Sequence, residues 1–182
     1  IPGLKDGTFS FDGLFSASTT AADDIVNFLD GALGGSTKHV LTVDLQRSTG
    51  GRAWLMRSDN TSYDISAPVS DVVSVAVDSQ ASDGYRGGRM LRPLAAATAT
   101  GSNTALLTAG TTAAGGTTGG GVGHLHVTAF GTTKHGGTVK VQHSTSAGST
   151  WADLITFSTL AGDPTFQRST VAGTIKEHLR AT

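Results

Sequence analysis

The stretch "DVVSVAVDS", residues 71–79, carries branched apolar side chains at every second position. Val73, Val75 and Val77 are two residues apart, so an extended chain places all three on one face. Alternation of this kind is typical of a β-strand with one face buried and the other exposed to water. The sequence therefore predicts a strand here, with its valines packed against an apolar core.

Short segments with strand character recur before and after this stretch. The segment "RAWLMRS" (52–58) is apolar on both faces, which predicts a central strand or a strand covered by a partner. In "KHVLTVDLQ" (38–46), apolar and polar side chains alternate. The other strand candidates are "GHLHVTAF" (123–130), "GTVKVQH" (137–143), "ADLITFS" (152–158), "FQRSTV" (166–171) and "TIKEHLRA" (174–181).

The composition agrees with a β protein. Among the 182 residues there are 25 Gly and only 15% charged residues, and Glu177 is the only glutamate, so material for exposed helices is scarce. We expect a mainly β fold, a two-sheet sandwich or barrel with one flanking helix. The absence of Cys excludes disulfides, thiolate metal ligands and cysteine nucleophiles. A net charge of −1 gives no case for binding nucleic acid through bulk charge.

One helix is predicted, over residues 21–33. Thr20 is a good N-cap, and Asp23 and Asp24 suit the positive end of a helix. Gly34 follows as a stop signal. The apolar stripe that would rest on a sheet is made of Ile25, Phe28, Leu29, Ala32 and Leu33.

The distribution of charge divides the chain. Residues 94–133 contain no charged side chain, and residues 110–122 are rich in Gly and Thr, which predicts a flexible connection. We therefore expect a first part of one domain over 1–109 and a second β part of the same domain over 123–182. No apolar run approaches the length of a membrane-spanning helix, and no secretory signal is visible.

The segment from Ser144 to Trp151, "STSAGSTW", looks like the Asp box of sialidases with Ser146 in the place of the aspartate. Such a motif is a hairpin turn, in which hydroxyl groups bond to the backbone, Gly148 supplies a positive φ and Trp151 packs beneath. A glycosidase also needs paired carboxylates or a Tyr/Glu pair. The second half offers only three scattered acids, so we predict a turn and no enzyme; the acids are Asp153, Asp163 and Glu177.

Two further patterns have an alternative in ordinary structure. His124 and His126 share one strand face and, with His143, imitate a three-histidine metal site, but an exposed strand face is the preferred interpretation. The glycine-rich "DGYRGGR" (83–89) lacks the helix that a phosphate-binding loop requires, so it is interpreted as a turn into a strand. No cofactor is expected.

Four stretches in order resemble a known family. The opening "IPGLKDGTFSFDGLFS" is followed by "ADDIVNFLDGAL", and "VKVQHSTSAGSTWADLITF" is followed by "QRSTVAGTIKEHLRAT". In this order and spacing they resemble the major tail tube protein of long-tailed, siphovirus-type bacteriophages. Members usually carry strand-bearing segments before the first stretch and after the last, so the sheet is expected to be completed by such segments or by neighbours.

The resemblance implies a structural virion protein that self-assembles into stacked rings, usually hexameric. These rings form the tail tube, through which the genome DNA passes at ejection without specific binding. Expected partners are further copies, the tape-measure protein and tail-end proteins, with synthesis in the host bacterial cytoplasm and no membrane. Seven residues are predicted at the subunit interface: Pro2, Leu4, Lys5, Trp54, Met56, Arg86 and Arg89.

A different class of function stays open. A β-sandwich could instead decorate the virion or bind carbohydrate, which the hairpin motif favours. Sugar-binding platforms need exposed aromatic rings, and the shortage of aromatic residues, 6% of the chain, counts against it. A hydrolase is the least favoured alternative.

Overall fold

The computed structural model describes residues 6–14, 38–68, 73–95, 119–129, 136–145, 150–160 and 165–182. These ranges form nine strands and no helix, which confirms the prediction of a mainly β protein. The predicted helix at 21–33 and most of the connection at 110–122 lie outside the described residues. The strands are β1 (Thr8–Leu14), β2 (His39–Asp44), β3 (Arg52–Ser66), β4 (Ser74–Arg89), β5 (Gly121–Val127), β6 (Lys140–Ser144), β7 (Ala152–Thr156), β8 (Thr165–Val171) and β9 (His178–Ala181).

The described strands form three hydrogen-bonded sheets, where two were expected. The largest has the order β1-β4-β3-β2, the second is a ribbon of β5 and β8, and the third has the order β7-β6-β9. The pairs β1–β4, β5–β8, β6–β7 and β6–β9 are antiparallel. The segment "RAWLMRS" lies in β3 between β2 and β4, so it is a central strand.

The chain divides into two compact units. The first unit comprises Ile1–Leu41 and Leu55–Arg86, and the second comprises Thr42–Trp54 and Gly87–Thr182. The divisions fall within β2, β3 and β4, so each of these strands contributes residues to both units.

The core of the first unit is built on the valines of β4. Val75 is 2% exposed and Val77 is 1% exposed, as the alternation in "DVVSVAVDS" predicts. Phe11 of β1 lies directly opposite Val77, and Phe11 and Tyr63 pack against the two valines. The same face buries Ser79, whose hydroxyl donates a hydrogen bond of 2.8 Å to Asn60 Oδ1. This bond satisfies the Ser79 hydroxyl and Asn60 Oδ1, whereas the buried Asn60 Nδ2 has no partner among the described residues.

The core of the second unit lies between the ribbon and the three-stranded sheet. Val141, Ile155 and Phe157 are buried, and Leu125 of β5 and Val171 of β8 pack against them. The ribbon lies close to the three-stranded sheet at Gly123. A Cβ at this glycine would stand 2.9 Å from Ile155 Cδ1 and 3.3 Å from Phe157 Cζ. A Cβ at Gly121 would likewise stand 2.7 Å from Ile175 Cδ1.

A side-chain amide extends the hydrogen bonding between β8 and the chain after β7. Gln167 Oε1 accepts a bond of 2.7 Å from the Ser158 amide, and Gln167 Nε2 donates one of 3.1 Å to the Ser158 carbonyl. The amide therefore imitates the pair of bonds that a neighbouring strand would make.

The interpretation of "DGYRGGR" as a turn into a strand is wrong. The whole stretch 83–89 belongs to β4, which runs for 16 residues. Gly84 has a φ of 75°, a left-handed conformation that glycine adopts without steric cost. The glycines therefore permit a local irregularity inside a strand and do not end it.

Two glycines at the end of the β5–β8 ribbon are joined by one hydrogen bond. The Gly120 amide donates to the Gly173 carbonyl over 2.9 Å, and the φ angles are 72° and 87°. A Cβ at Gly120 would stand 2.2 Å from the backbone oxygen of Val171, whereas a Cβ at Gly173 would meet no atom within 4 Å. A side chain at either position would be strained by the positive φ, but only a side chain at Gly120 would also clash with the backbone.

We predict that Gly120→Ala destabilises the protein more than Gly173→Ala does. Both substitutions carry the strain of a left-handed alanine, about 1–2 kcal/mol, and only the first also forces backbone atoms apart. Urea unfolding monitored by circular dichroism gives both free energies of unfolding. Equal losses in the two variants would show that the close approach to Val171 is relaxed in solution.

Candidate functional site

The exposed face of β1 and β4 is polar. Residues directly opposite each other in an antiparallel pair share a face, and Ser10 lies opposite Asp78 and Thr8 opposite Gln80. All four side chains are exposed, as is that of Asp12, two residues further along β1. The opposite face of the same strands carries the apolar core, so β1 and β4 have one buried face and one solvent-exposed face.

Asp78 is at the centre of a hydrogen-bond network across three strands. The Ser10 hydroxyl donates to Oδ1 over 2.5 Å, and the Ser62 hydroxyl of β3 donates to Oδ2 over 2.7 Å. The Thr61 hydroxyl donates to the Asp78 carbonyl over 3.3 Å. The bonds from Ser10 and then Ser62 lower the pKa of Asp78 because they favour its charged form. Asp78 therefore stays ionised across the physiological range of pH.

The same region carries further acidic side chains. Asp6 accepts a bond of 3.1 Å from Gln80 Nε2, and Asp12 and Asp64 are exposed. The stretches 6–14, 61–66 and 74–80 contain these four aspartates and neither Lys nor Arg. We call Asp6, Asp12, Asp64 and Asp78 the acidic patch. Within these described stretches no cation offsets its charge, which repels other anions.

Strand β4 extends beyond its pairing with β1. The register ends at Thr8 opposite Gln80, followed by one bond of 2.8 Å from the Ala81 amide to the Gly7 carbonyl. From Ser82 to Arg89, β3 is the only strand neighbour of β4 among the described residues. We call this part of β4 the open edge. The N–H and C=O groups along the edge of a sheet are a template for another strand.

The predicted interface residues fall into different environments. Trp54 is 37% exposed, and Arg86 on the open edge is exposed. Arg89 is partly buried, and its Nη1 donates a bond of 3.1 Å to the Gly50 carbonyl. Pro2, Leu4 and Lys5 lie outside the described residues.

Met56 is only 8% exposed within the chain, which differs from the exposure expected of an interface residue. Its place at a subunit interface stays a prediction. The burial pattern of β3 explains the difference, since Ala53 and Met56 are both buried although they are three residues apart. Strict alternation would put them on opposite faces.

Sequence reasoning missed several exposed apolar side chains. Leu45 is 70% exposed, Leu94 68% and Ile65 48%. Tyr85 is 43% exposed, although its ring lies against Gly7, where a Cβ would stand 3.0 Å from Tyr85 Cδ1. Interpreting "DGYRGGR" as a strand would have indicated an exposed ring at Tyr85, whereas the turn interpretation did not.

A polar ladder crosses the three-stranded sheet of the second unit. Asp153 of β7 bonds to Lys140 Nζ over 2.6 Å and to Gln142 Nε2 over 2.7 Å, both on β6. Gln142 Oε1 then accepts a bond of 2.7 Å from Arg180 Nε on β9. The Arg180 guanidinium lies 4.4 Å from the centre of the Trp151 ring. The bonds from Gln142 and then Lys140 lower the pKa of Asp153.

The predicted hairpin turn is only partly described. Strands β6 and β7, on either side of it, pair with each other, and Ser144 is 0% exposed. Trp151 is partly buried against Arg180. Ser146 and Gly148 lie outside the described residues.

Two histidines of β5 meet a threonine of β2. Thr42 Oγ1 lies 3.0 Å from His124 Nδ1 and 2.8 Å from His126 Nε2. Both imidazoles are partly buried, so the interpretation of an exposed strand face is wrong. His143 lies on β6, and its Nδ1 accepts a bond of 3.3 Å from the Lys176 amide. Within the described ranges, no three His, Asp or Glu side chains are grouped to hold a metal ion.

Comparison of the chain with protein-family models, with curated proteins and with solved structures gives no match. Among the described residues, no helix is long and apolar enough to span a membrane. The geometry of the acidic patch, the open edge and the polar ladder is therefore the basis for a functional proposal.

We predict that Ser10→Ala combined with Ser62→Ala raises the pKa of Asp78 toward its ordinary value. The two hydroxyl donors favour the carboxylate, and their removal leaves the group exposed to water alone. Titration of the carboxyl carbon by NMR measures the pKa directly. Asp153 is the internal control, because its donors are Gln142 and Lys140 and its titration should not change. An unchanged Asp78 titration would contradict the role of the two serines.

Proposed function

We propose that this chain is a structural subunit that self-assembles into stacked rings, forming the tail tube of a long-tailed bacteriophage. The single observation that carries the proposal is the open edge of β4. The family resemblance supplies the identity of the assembly, its usual six-fold symmetry, its place in the virion and its tape-measure and tail-end partners. The described geometry supplies a physical basis for subunit contacts and for the passage of DNA.

The open edge offers a mode of subunit contact that needs no new fold. A strand of a neighbouring copy can add to the edge from Ser82 to Arg89 and form backbone hydrogen bonds with it. Among the described strands, β2 is the edge at the other end of this sheet. Repeated edge-to-edge contact between unlike edges is heterologous, and it closes into a ring when the rotation per subunit allows.

The acidic patch supports a conduit for DNA. A duplex carries two phosphate charges per base pair, and a protein that grips it neutralises phosphates with Lys or Arg. Asp6, Asp12, Asp64 and Asp78 would instead repel the backbone and allow it to slide. We propose that this exposed face of the sheet lines the lumen of the tube.

The sandwich architecture and the flanking helix are part of the same proposal. The ribbon of β5 and β8 and the sheet of β7, β6 and β9 pack through Leu125, Val171 and their neighbours, which supports a sandwich. The apolar stripe of residues 21–33 supports a flanking helix on sequence grounds. Neither feature involves a catalytic group, and we propose no enzymatic activity.

The polar ladder favours a second candidate, a carbohydrate-binding module. It joins an aromatic ring, Trp151, to planar polar groups of Arg180, Gln142 and Asp153 on one sheet face. Aromatic faces beside such groups are suited to sugar rings. The ladder bonds mostly to itself, which makes this the weaker candidate.

We predict that the purified, concentrated chain forms rings or hollow tubes, and that Gly87→Pro reduces this assembly. No atom lies within 4 Å of a Cβ built at Gly87, so the position accepts a side chain. Proline cannot donate a backbone hydrogen bond, and it blocks strand addition at a sheet edge. Light scattering after size exclusion gives the mass, and negative-stain electron microscopy gives the shape.

Gly87→Ala is the matched control, because it adds a side chain and keeps the N–H group. Far-UV circular dichroism verifies that both variants retain the strand content of the parent protein. A parent protein that stays monomeric at high concentration would argue against self-assembly. A folded Gly87→Pro variant that assembles normally would place the contact elsewhere.

The second candidate makes a separate prediction. If the ladder binds sugar, a glycan array shows micromolar binding that Trp151→Ala abolishes and Trp54→Ala, at an exposed tryptophan outside the ladder, leaves unchanged. Absence of binding by the parent protein would remove this candidate.

A further inference from the structure

The contact of Thr42 with His124 and His126 depends on a single hydroxyl proton. Thr42 Oγ1 is within hydrogen-bond distance of both imidazoles, at 3.0 Å and 2.8 Å. The hydroxyl can donate to one nitrogen only, so the other nitrogen must donate to Oγ1. In this arrangement the hydroxyl donates one bond and accepts the other. It requires that one of the two imidazole nitrogens carries no proton.

Acid removes this arrangement. When both imidazoles are protonated, both nitrogens are donors. The two lone pairs of Thr42 Oγ1 can accept from both, but the hydroxyl proton loses its imidazole acceptor. The two rings have centres 6.2 Å apart, so their positive charges also repel each other. His126 is packed against Phe166, with ring centres 5.4 Å apart, an apolar neighbour that offers no compensation for a charge.

The charged neighbours among the described residues do not reverse this effect. On β8, Arg168 lies opposite His124 and Phe166 lies opposite His126, so the charged residue on that strand is a cation. On β2, Asp44 shares the face of Thr42, and its Oδ1 accepts bonds of 3.0 Å from the amides of Gln46 and Arg47. That acid is engaged in the turn that follows β2. On the three-stranded sheet, the side that β5 meets is apolar.

We propose that Thr42, His124 and His126 form an acid-sensitive tie that holds the second half of β2 to β5 at neutral pH and loosens on protonation. The partners are 82 and 84 residues apart in sequence, so the tie closes a long segment of chain.

The direction of the pH dependence follows from burial. Desolvation lowers the pKa of His126 below its ordinary value of 6.5. A histidine whose pKa is lowered by folding contributes stability that is complete above the unfolded pKa. That stability is lost as the pH falls from about 6.5 through the folded value. The tie is therefore closed at pH 7.5 and loosened in mild acid.

The test is amide hydrogen exchange of the whole chain at pH 7.5 and pH 5.0, corrected for intrinsic rates, with NMR titration of the imidazoles. We expect protection of Gly121–Val127 and of residues 42–44 to fall about tenfold in acid, because these segments open more often once the tie is loosened. Thr42→Val, which removes the shared hydroxyl, should lose protection at pH 7.5 already. Thr170→Val, at an exposed position on β8, should not.

A second comparison separates the tie from the other histidines. His124→Gln with His126→Gln keeps hydrogen-bonding groups that do not titrate, and should remove the acid effect at these amides. The control is His39→Gln with His143→Gln, because burial also lowers the pKa of these two histidines. This control variant should keep the acid effect at the amides of β2 and β5. An acid effect that survives the first pair would overturn the proposal. So would His126 titrating at or above 6.5 in the parent protein, a measurement that needs no variant.

Discussion

The hydrogen-bonding requirement of the β4 backbone is the constraint on which the described fold depends. The strand is 16 residues long, whereas its partner β1 is 7 residues long, so the two cannot satisfy each other over their full lengths. Where they pair, Val75 and Val77 are buried and Asp78 is turned to water. Beyond the pairing, the strand continues with β3 as its only strand neighbour among the described residues. One strand thus contributes to a core, a polar face and an open edge.

Much of the strand pattern could be predicted because it is local. The valines at 75 and 77 and the strands containing Val141 and Ile155 follow a two-residue period that needs no tertiary information. The stretch 83–89 was misread because glycines mark turns and strand irregularities equally well. The burial of Met56 could not be predicted, because the burial pattern of β3 departs from alternation at a point that the sequence "RAWLMRS" does not mark.

The candidate site could be predicted less well, because its parts are distant in sequence. Asp78 meets Ser10 across 68 positions, and Thr42 meets His124 across 82. Spacing within a strand placed His124 and His126 on one face, but their third partner depends on how β2 meets β5. The polar ladder has the same character, since Arg180 reaches Gln142 from 38 positions away. Composition gave only the general expectation of a surface poor in cations.

The two glycines on the core side of β5 have a consequence for the thickness of the second unit. At Gly121 and Gly123 a hydrogen stands where other strands carry a side chain, and the terminal carbons of Ile175, Ile155 and Phe157 occupy the space. The ribbon of β5 and β8 can therefore lie close to the residues packed on it, because Gly121 and Gly123 have no side chain. Any larger residue at these positions would act as a spacer, so this part of the molecule can be widened by substitution but has no room to become thinner.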